Sequence, residues 1–191
     1  MPKISFPTVA EHRAVQHRAV LDAANRLIVE NDGNVPTLSE VASEVGLARS
    51  SVYLYVSSQQ DLVIQLLLEA IPAWTEELRV ELDRAGTNTA DRLAAYADVT
   101  LRLFAGGSHG QLMIAAQQFP GAFMDDRVQE AHAGLNPARD ELLGDLGPTF
   151  PLLDAAIHRG ADLIRHNETD LDTVRALLQD MARAAVTGRH R

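Results

Sequence analysis

The sequence predicts an all-α protein. Three observations carry that prediction: apolar residues recur at three- and four-residue steps along nearly the whole chain, helix caps and Gly or Pro breakers punctuate those runs, and strand-like alternation is scarce. At 191 residues, 46% hydrophobic and 23% charged, the composition is that of an ordinary globular protein, long enough for one domain or two small ones sharing a core. About nine helices are expected.

The first helix is expected over Val9–Glu30, with Val15, Ala19, Leu21, Ala23, Leu27 and Ile28 clustering on one face; Asn31-Asp32-Gly33-Asn34 stops it. Thr37 then stands as an N-cap with Glu40 three residues on, the capping-box arrangement, and Leu38, Val41, Ala42 and Val45 share a face. Gly46 sits where a helix end needs positive φ, and Leu47 folds back onto the core. A short third helix starts near Ala48 and is anchored inward by Val52. Ser58 caps the fourth, with Asp61 in its first turn, ahead of the apolar run LVIQLLLEAIPAW. Pro72 is expected to kink or divide that helix, because it removes a backbone donor and crowds the preceding turn.

Asn88 or Thr89 caps DRLAAYADVTLRLFA, the cluster from Gly106 to Gly110 breaks it, and QLMIAAQQF follows before Pro120-Gly121. A helix from about Phe123 to Leu146 is expected to be interrupted near Gly134 to Pro137. The last two run from about Phe150 to His166 and from Leu171 to Thr187.

Composition narrows the function. With no Cys, a disulfide framework, a zinc finger and thiol catalysis are excluded, and a reducing cytoplasmic location is expected. The N-terminus lacks the apolar core of a secretory signal, and the uncharged run from Leu103 to Met124 is too rich in Gly, Gln and Pro to span a membrane. The net charge of -9 is unevenly spread: residues 1–60 hold five cations against six anions, so the rest of the chain carries -8. Within residues 1–18, Lys3, Arg13 and Arg18 face only Glu11, which leaves room for a locally basic surface.

Two helices meeting across a Gly-containing turn, the second short and polar on its outer side, form the helix-turn-helix plan for reading a major groove. With Val52 inward, Arg49, Ser50, Ser51 and Tyr53 are left outward. Arg49 offers a planar fork that matches guanine, the serines permit close approach, and Tyr53 and Tyr55 reach phosphates and sugars. Helix starts at Thr37 and Ser58 would hold phosphates through backbone amides. The same spacing also occurs in α-helical folds that do not bind DNA.

The string TLSEVASEVGLARSSVYLYVSSQQDL resembles the TetR family of transcriptional regulators, through Thr37, Val41, Ala42, Val45, Gly46, Leu47, Ser50, Ser51, Val52, Tyr53, Tyr55, Ser58 and Leu62. The resemblance implies a ligand-responsive repressor that binds double-stranded operator DNA as a homodimer, without a cofactor and without catalysis. It implies a DNA-binding domain over residues 1–57, helped by Arg13 and Arg18, and a ligand-binding and dimerisation domain over 58–191. Three positions depart from the family pattern: Ala48 replaces a capping Ser, Val56 replaces a Phe, and Gln59 replaces a Lys that contacts a backbone phosphate. These departures leave open a small-molecule sensor with weakened DNA binding.

Two apolar stripes near the C-terminus agree with a dimer: Leu153, Ala156, Ile157, Gly160 and Ile164, then Leu171, Val174, Leu178, Met181 and Ala185. The alternative is that the stripes pack on their own chain. In the middle segment Trp74, Tyr96, Thr100, Phe104, Met113, Phe119, Phe123 and Met124 are the candidates to line an apolar cavity for a small-molecule inducer. Gly106-Gly107-Ser108-His109-Gly110 matches a hydrolase G-x-S-x-G string, but no strand precedes it, so a helix break bordering the cavity is expected instead. His158, Asp162 and His166, four residues apart on one helix, are expected to form a polar face and not a metal site.

Overall fold

The computed structural model describes residues 9–133 and 146–187. Among the described residues there are ten α-helices and no strand. They are α1 (Val9–Glu30), α2 (Leu38–Glu44), α3 (Arg49–Val52), α4 (Gln59–Arg84), α5 (Thr89–Ala105), α6 (Gly107–Gln117), α7 (Pro120–Phe123), α8 (Asp126–Ala133), α9 (Thr149–Arg165) and α10 (Leu171–Thr187). The interruption expected near Gly134 to Pro137 lies outside the described residues.

The first and last helices have the predicted limits, and the turn chemistry between α1 and α4 is the one the sequence announces. Both capping-box bonds of α2 form: the Glu40 amide donates to Thr37 Oγ1 at 3.3 Å and the Thr37 amide to Glu40 Oε2 at 2.7 Å. At its other end Gly46 takes φ 67°, while the amides of Gly46 and Leu47 donate to the Ser43 and Ala42 carbonyls. Ala48 gives α3 no side-chain cap, and α3 is correspondingly short. Val52 and Val56 are both buried.

Four expectations change. Val15 is exposed, because α1 buries only its second half through Val20, Leu21, Ala23, Ala24 and Ile28. α4 is not divided at Pro72: it runs unbroken for 26 residues, since its apolar side chains are held in core on both sides of the proline, Ile71 before it and Leu82 after it. The glycine cluster costs only one non-helical residue, Gly106, and the remainder begins α6. Finally, Pro120 starts a separate one-turn helix, and the next begins at Asp126, where Asp125 Oδ1 accepts the Arg127 amide at 3.0 Å.

The buried apolar side chains form two clusters. One unites α1–α4 with α6, α7 and α8; it includes Val52, Val56, Leu62, Leu112 and Val128, so packing is continuous across residue 57. The other joins Leu82 of α4 to α5, α9 and α10. This second cluster shows where the C-terminal stripes lie within the chain. Leu153, Ile157, Gly160, Val174 and Leu178 are buried within their own chain, and Ala156 and Ile164 pack partly buried on the same cluster. The physical reason is α5, which lies against both α9 and α10 and takes up the stripes that were expected to meet a partner. Of the ten stripe residues, Met181 alone is left outward, joined there by Leu152 and Leu177, which are 70% and 60% exposed.

Candidate nucleic-acid interface and ligand cavity

The turn after α2 presents α3 with its polar side free. Arg49 and Ser50 are exposed, Ser51 is half-buried, and Tyr53 follows at the helix end, 48% exposed. The Arg49 guanidinium lies 6.0 Å from the Tyr53 ring centre and donates to its hydroxyl at 3.4 Å, so the two side chains share one surface. Arg13 approaches from α1, donating to the Leu54 carbonyl at 3.1 Å. Neither Arg13 nor Arg49 pairs with a carboxylate among the described residues.

Other residues expected at this surface are engaged within the chain. The Arg18 guanidinium pairs with Asp22 at 3.2 Å and Glu69 at 3.1 Å, because five residues of helix rotate it away from Arg13 and toward α4. The Thr37 hydroxyl both accepts from and donates to Glu40, and those bonds, the one from the Thr37 backbone amide first, hold the Glu40 carboxyl below its ordinary range. Ser58 caps α4 by accepting the Asp61 amide at 3.0 Å. Tyr55 stacks on His17, whose ring meets the Gln65 amide at 2.6 Å. The Gln59 amide donates to the Val35 and Pro36 carbonyls at 3.2 and 3.1 Å, tying the start of α4 to the turn before α2. No sequence signal pointed to that bond, since it depends on two loops 23 residues apart meeting.

A cavity of about 270 Å³ opens between α4, α5, α6, α8 and α9. It gathers five of the expected lining residues, Trp74, Tyr96, Thr100, Phe104 and Met113, and adds Leu78, Leu103, His132, Asp154 and His158. Phe123 lines an adjoining space of about 340 Å³, which shares Phe104, Met113 and His158 with the first. Phe119 and Met124 line neither: Phe119 packs on the first core, and Met124 is 73% exposed. Both sit at the ends of the one-turn α7, which the sequence pattern did not separate.

Asp154 was missed, and it is the group that most distinguishes the cavity. Its Oδ1 accepts the Tyr96 hydroxyl at 2.8 Å, and its Oδ2 lies 3.6 Å from His158 Nε2. The His158 ring stands edge-on to Phe104, with centres 4.4 Å apart. Only packing of α9 on α5 brings these groups together, over a separation of 58 residues between Tyr96 and Asp154. The indole N–H of Trp74, another lining residue, is buried without an acceptor among the described residues. The Trp74 ring packs against His109 at 5.1 Å; burial lowers the His109 pKa, and nearby Glu77 opposes that shift. His109 also borders a cleft of about 210 Å³ with Arg18, Asp22 and Glu69, so it stands between the cavity and the α1–α4 seam.

No group of three His, Asp or Glu among the described residues is placed to hold a metal ion, and none of the described helices is long and apolar enough to cross a membrane.

No family model matches the sequence. The chain is 26% identical over 91 residues to the fatty acid metabolism regulator protein of Bacillus subtilis (strain 168), a match spanning 48% of this chain and 46% of that relative, so about half its length. Among solved structures, the transcriptional regulator FadR from Bacillus subtilis in complex with stearoyl-CoA superposes with a TM-score of 0.68 at 19% identity, over 88% of this chain and 98% of that one. The TetR-like transcriptional regulator LfrR from Mycobacterium smegmatis in complex with proflavine gives a TM-score of 0.56 at 17% identity, over 88% and 95%. The fold is that of the TetR-like regulators. At these identities the fold is what is shared, and the TetR-like fold places the Arg49 helix and the Asp154 cavity in one chain, with α4 contributing to both cores.

Proposed function

We infer that the protein is a ligand-responsive transcriptional regulator, a repressor that binds a palindromic operator as a homodimer and is released by a small molecule. The observation that carries this reading is that Arg49 and Arg13, exposed and without a carboxylate partner among the described residues, lie around a recognition helix otherwise lined by Ser50, Ser51 and Tyr53. Residues 1–57 then act as the reading head and residues 58–191 as the sensor. Arg49 reads a base edge in the major groove, while Ser50, Ser51, Tyr53 and Arg13 hold phosphates. Leu152, Leu177 and Met181 supply the partner-facing surface.

The cavity is the inducer site. An occupant that displaces Trp74 acts on His109, and through it on the seam where α1 meets α4. Release follows to the extent that the occupant prefers the conformation with the two heads misplaced for the operator. Selection from random DNA, followed by titration at two salt concentrations, tests the reading. A salt-sensitive, competitor-resistant complex with a palindrome is expected, and its absence refutes DNA regulation. The internal engagement of Arg18, Thr37, Ser58 and Gln59 favours a second reading, a sensor with weakened DNA binding. Binding that is weak and indifferent to sequence would support it.

A further inference from the structure

The lining of the cavity constrains the charge of what enters it. Among its described lining residues there is no Lys or Arg, and Asp154 is the one carboxylate. The adjoining space adds Asp162 and Arg165, but these pair with each other, and Arg165 also donates to the Phe104 carbonyl at 2.6 Å. Among the described lining residues, the carboxylate of Asp154 is therefore the one fixed charge without an oppositely charged Arg or Lys partner, and no unpaired guanidinium is offered to an anion. Bringing a second anion beside Asp154 in such a partly dry space is costly, whereas a cation recovers its desolvation through ion pairing with the carboxylate, and one that bears an N–H gains a charge-assisted bond as well. Asp154 has capacity for that bond: Tyr96 occupies Oδ1, while Oδ2 has His158 only at 3.6 Å, beyond hydrogen-bonding distance. The aromatic rings of Trp74, Tyr96 and Phe104 supply faces that attract a delocalised cation. The volume of about 270 Å³ lies near the lower limit of roughly 300 Å³ for small-molecule pockets, which suits a compact rigid occupant.

We propose that the cavity selects a compact planar aromatic cation, paired with the Asp154 carboxylate and stacked among Trp74, Tyr96 and Phe104. The proposal rests on the reading of this cavity as the ligand site. Trp74 is the only tryptophan of the chain, so its emission reports occupancy directly. The test is titration of the full chain at pH 8, where free imidazole is neutral, with three probes of one shape: N-methylacridinium, acridine and acridine-9-carboxylate. The expected result is one site per protomer for N-methylacridinium, with quenching of Trp74 and affinity at least about 10-fold above acridine. Acridine-9-carboxylate should be the weakest.

Asp154→Asn keeps an acceptor for Tyr96, and thermal unfolding checks that the fold persists. This substitution should weaken N-methylacridinium by about 10-fold, through loss of ion pairing with the carboxylate, since this probe carries no N–H to donate, and leave acridine unchanged. Tighter binding of the anionic probe or of stearoyl-CoA overturns the proposal, as does unchanged cation affinity in Asp154→Asn, which would mean general adsorption to an acidic chain. Operator binding is measured separately. Cation selectivity without an operator complex would overturn the regulator reading and support this one; an operator complex without cation selectivity would do the reverse.

Discussion

Gly160→Ala distinguishes an internal packing role for the C-terminal stripes from a role at the dimer interface. A Cβ at position 160 would lie 2.6 Å from Val174 Cγ1 and 3.5 Å from both Leu101 Cδ1 and Leu178 Cδ1. Ordinary carbon contacts lie near 3.5–4.0 Å, so Val174 must retreat by about 1 Å. It cannot readily rotate away, because a helical valine has essentially one rotamer, and α10 must therefore shift. Such overpacking costs about 1–3 kcal/mol, against which the better helix propensity of Ala returns about 1 kcal/mol. The net expectation is a loss of about 1 kcal/mol, or about 2–4 °C in melting temperature for a chain of this size. Urea and thermal unfolding followed by circular dichroism, at two protein concentrations, measure it. Val174→Ala should rescue the variant beyond additivity. A Gly160→Ala protein of undiminished stability but weakened self-association would refute the argument and return Gly160 to the partner interface.

Four other substitutions test the remaining assignments. Met181→Glu should abolish self-association in sedimentation while leaving the helical spectrum intact, since Met181 is outward, 42% exposed. Gln59→Lys should steepen the log–log salt dependence of operator binding by about 0.9 per subunit if the new cation reaches a phosphate. An unchanged slope would mean that residue 59 serves the Val35 and Pro36 carbonyls. Arg49→Ala should relax base preference at one position per half-site, at about 1–3 kcal/mol, and uniform weakening on all sequences would exclude base reading. Thr37→Ala should destabilise the head by about 1 kcal/mol. Because Glu40 has its folded pKa depressed, its contribution is present above the ordinary glutamate value near about 4.3 and is lost as pH falls through the folded value; Thr37→Ala should flatten the stability profile in that acidic window.

Local rules made the head legible. Thr37 with Glu40, Gly46 with Leu47, and Ser58 with Asp61 each satisfy helix-end groups within a few residues, so no distant contact is needed to predict them. The same locality explains why Asn88 and the limits of α1 and α10 were readable. Function was less local. Arg49 could be placed outward once Val52 was assigned inward, but Arg18 could not be known to face Glu69 without the packing of α1 on α4. The cavity was half legible: aromatic residues in the middle segment are natural linings, yet Asp154 sits on a helix read for its apolar stripe.

By itself, then, the sequence determined the helical class, the caps and breakers that space the helices, and the inward and outward sides of α3, because these follow from bonds and periodicities within one or two turns. Tertiary structure alone decided which partner each apolar stripe meets. Any complementary helix satisfies a heptad-like stripe, and α5 of the same chain takes Leu153, Ile157, Val174 and Leu178, leaving Leu152, Leu177 and Met181 exposed. It also decided the polarity of the cavity, since the Tyr96–Asp154 bond joins residues whose separation in the chain carries no local energy of its own.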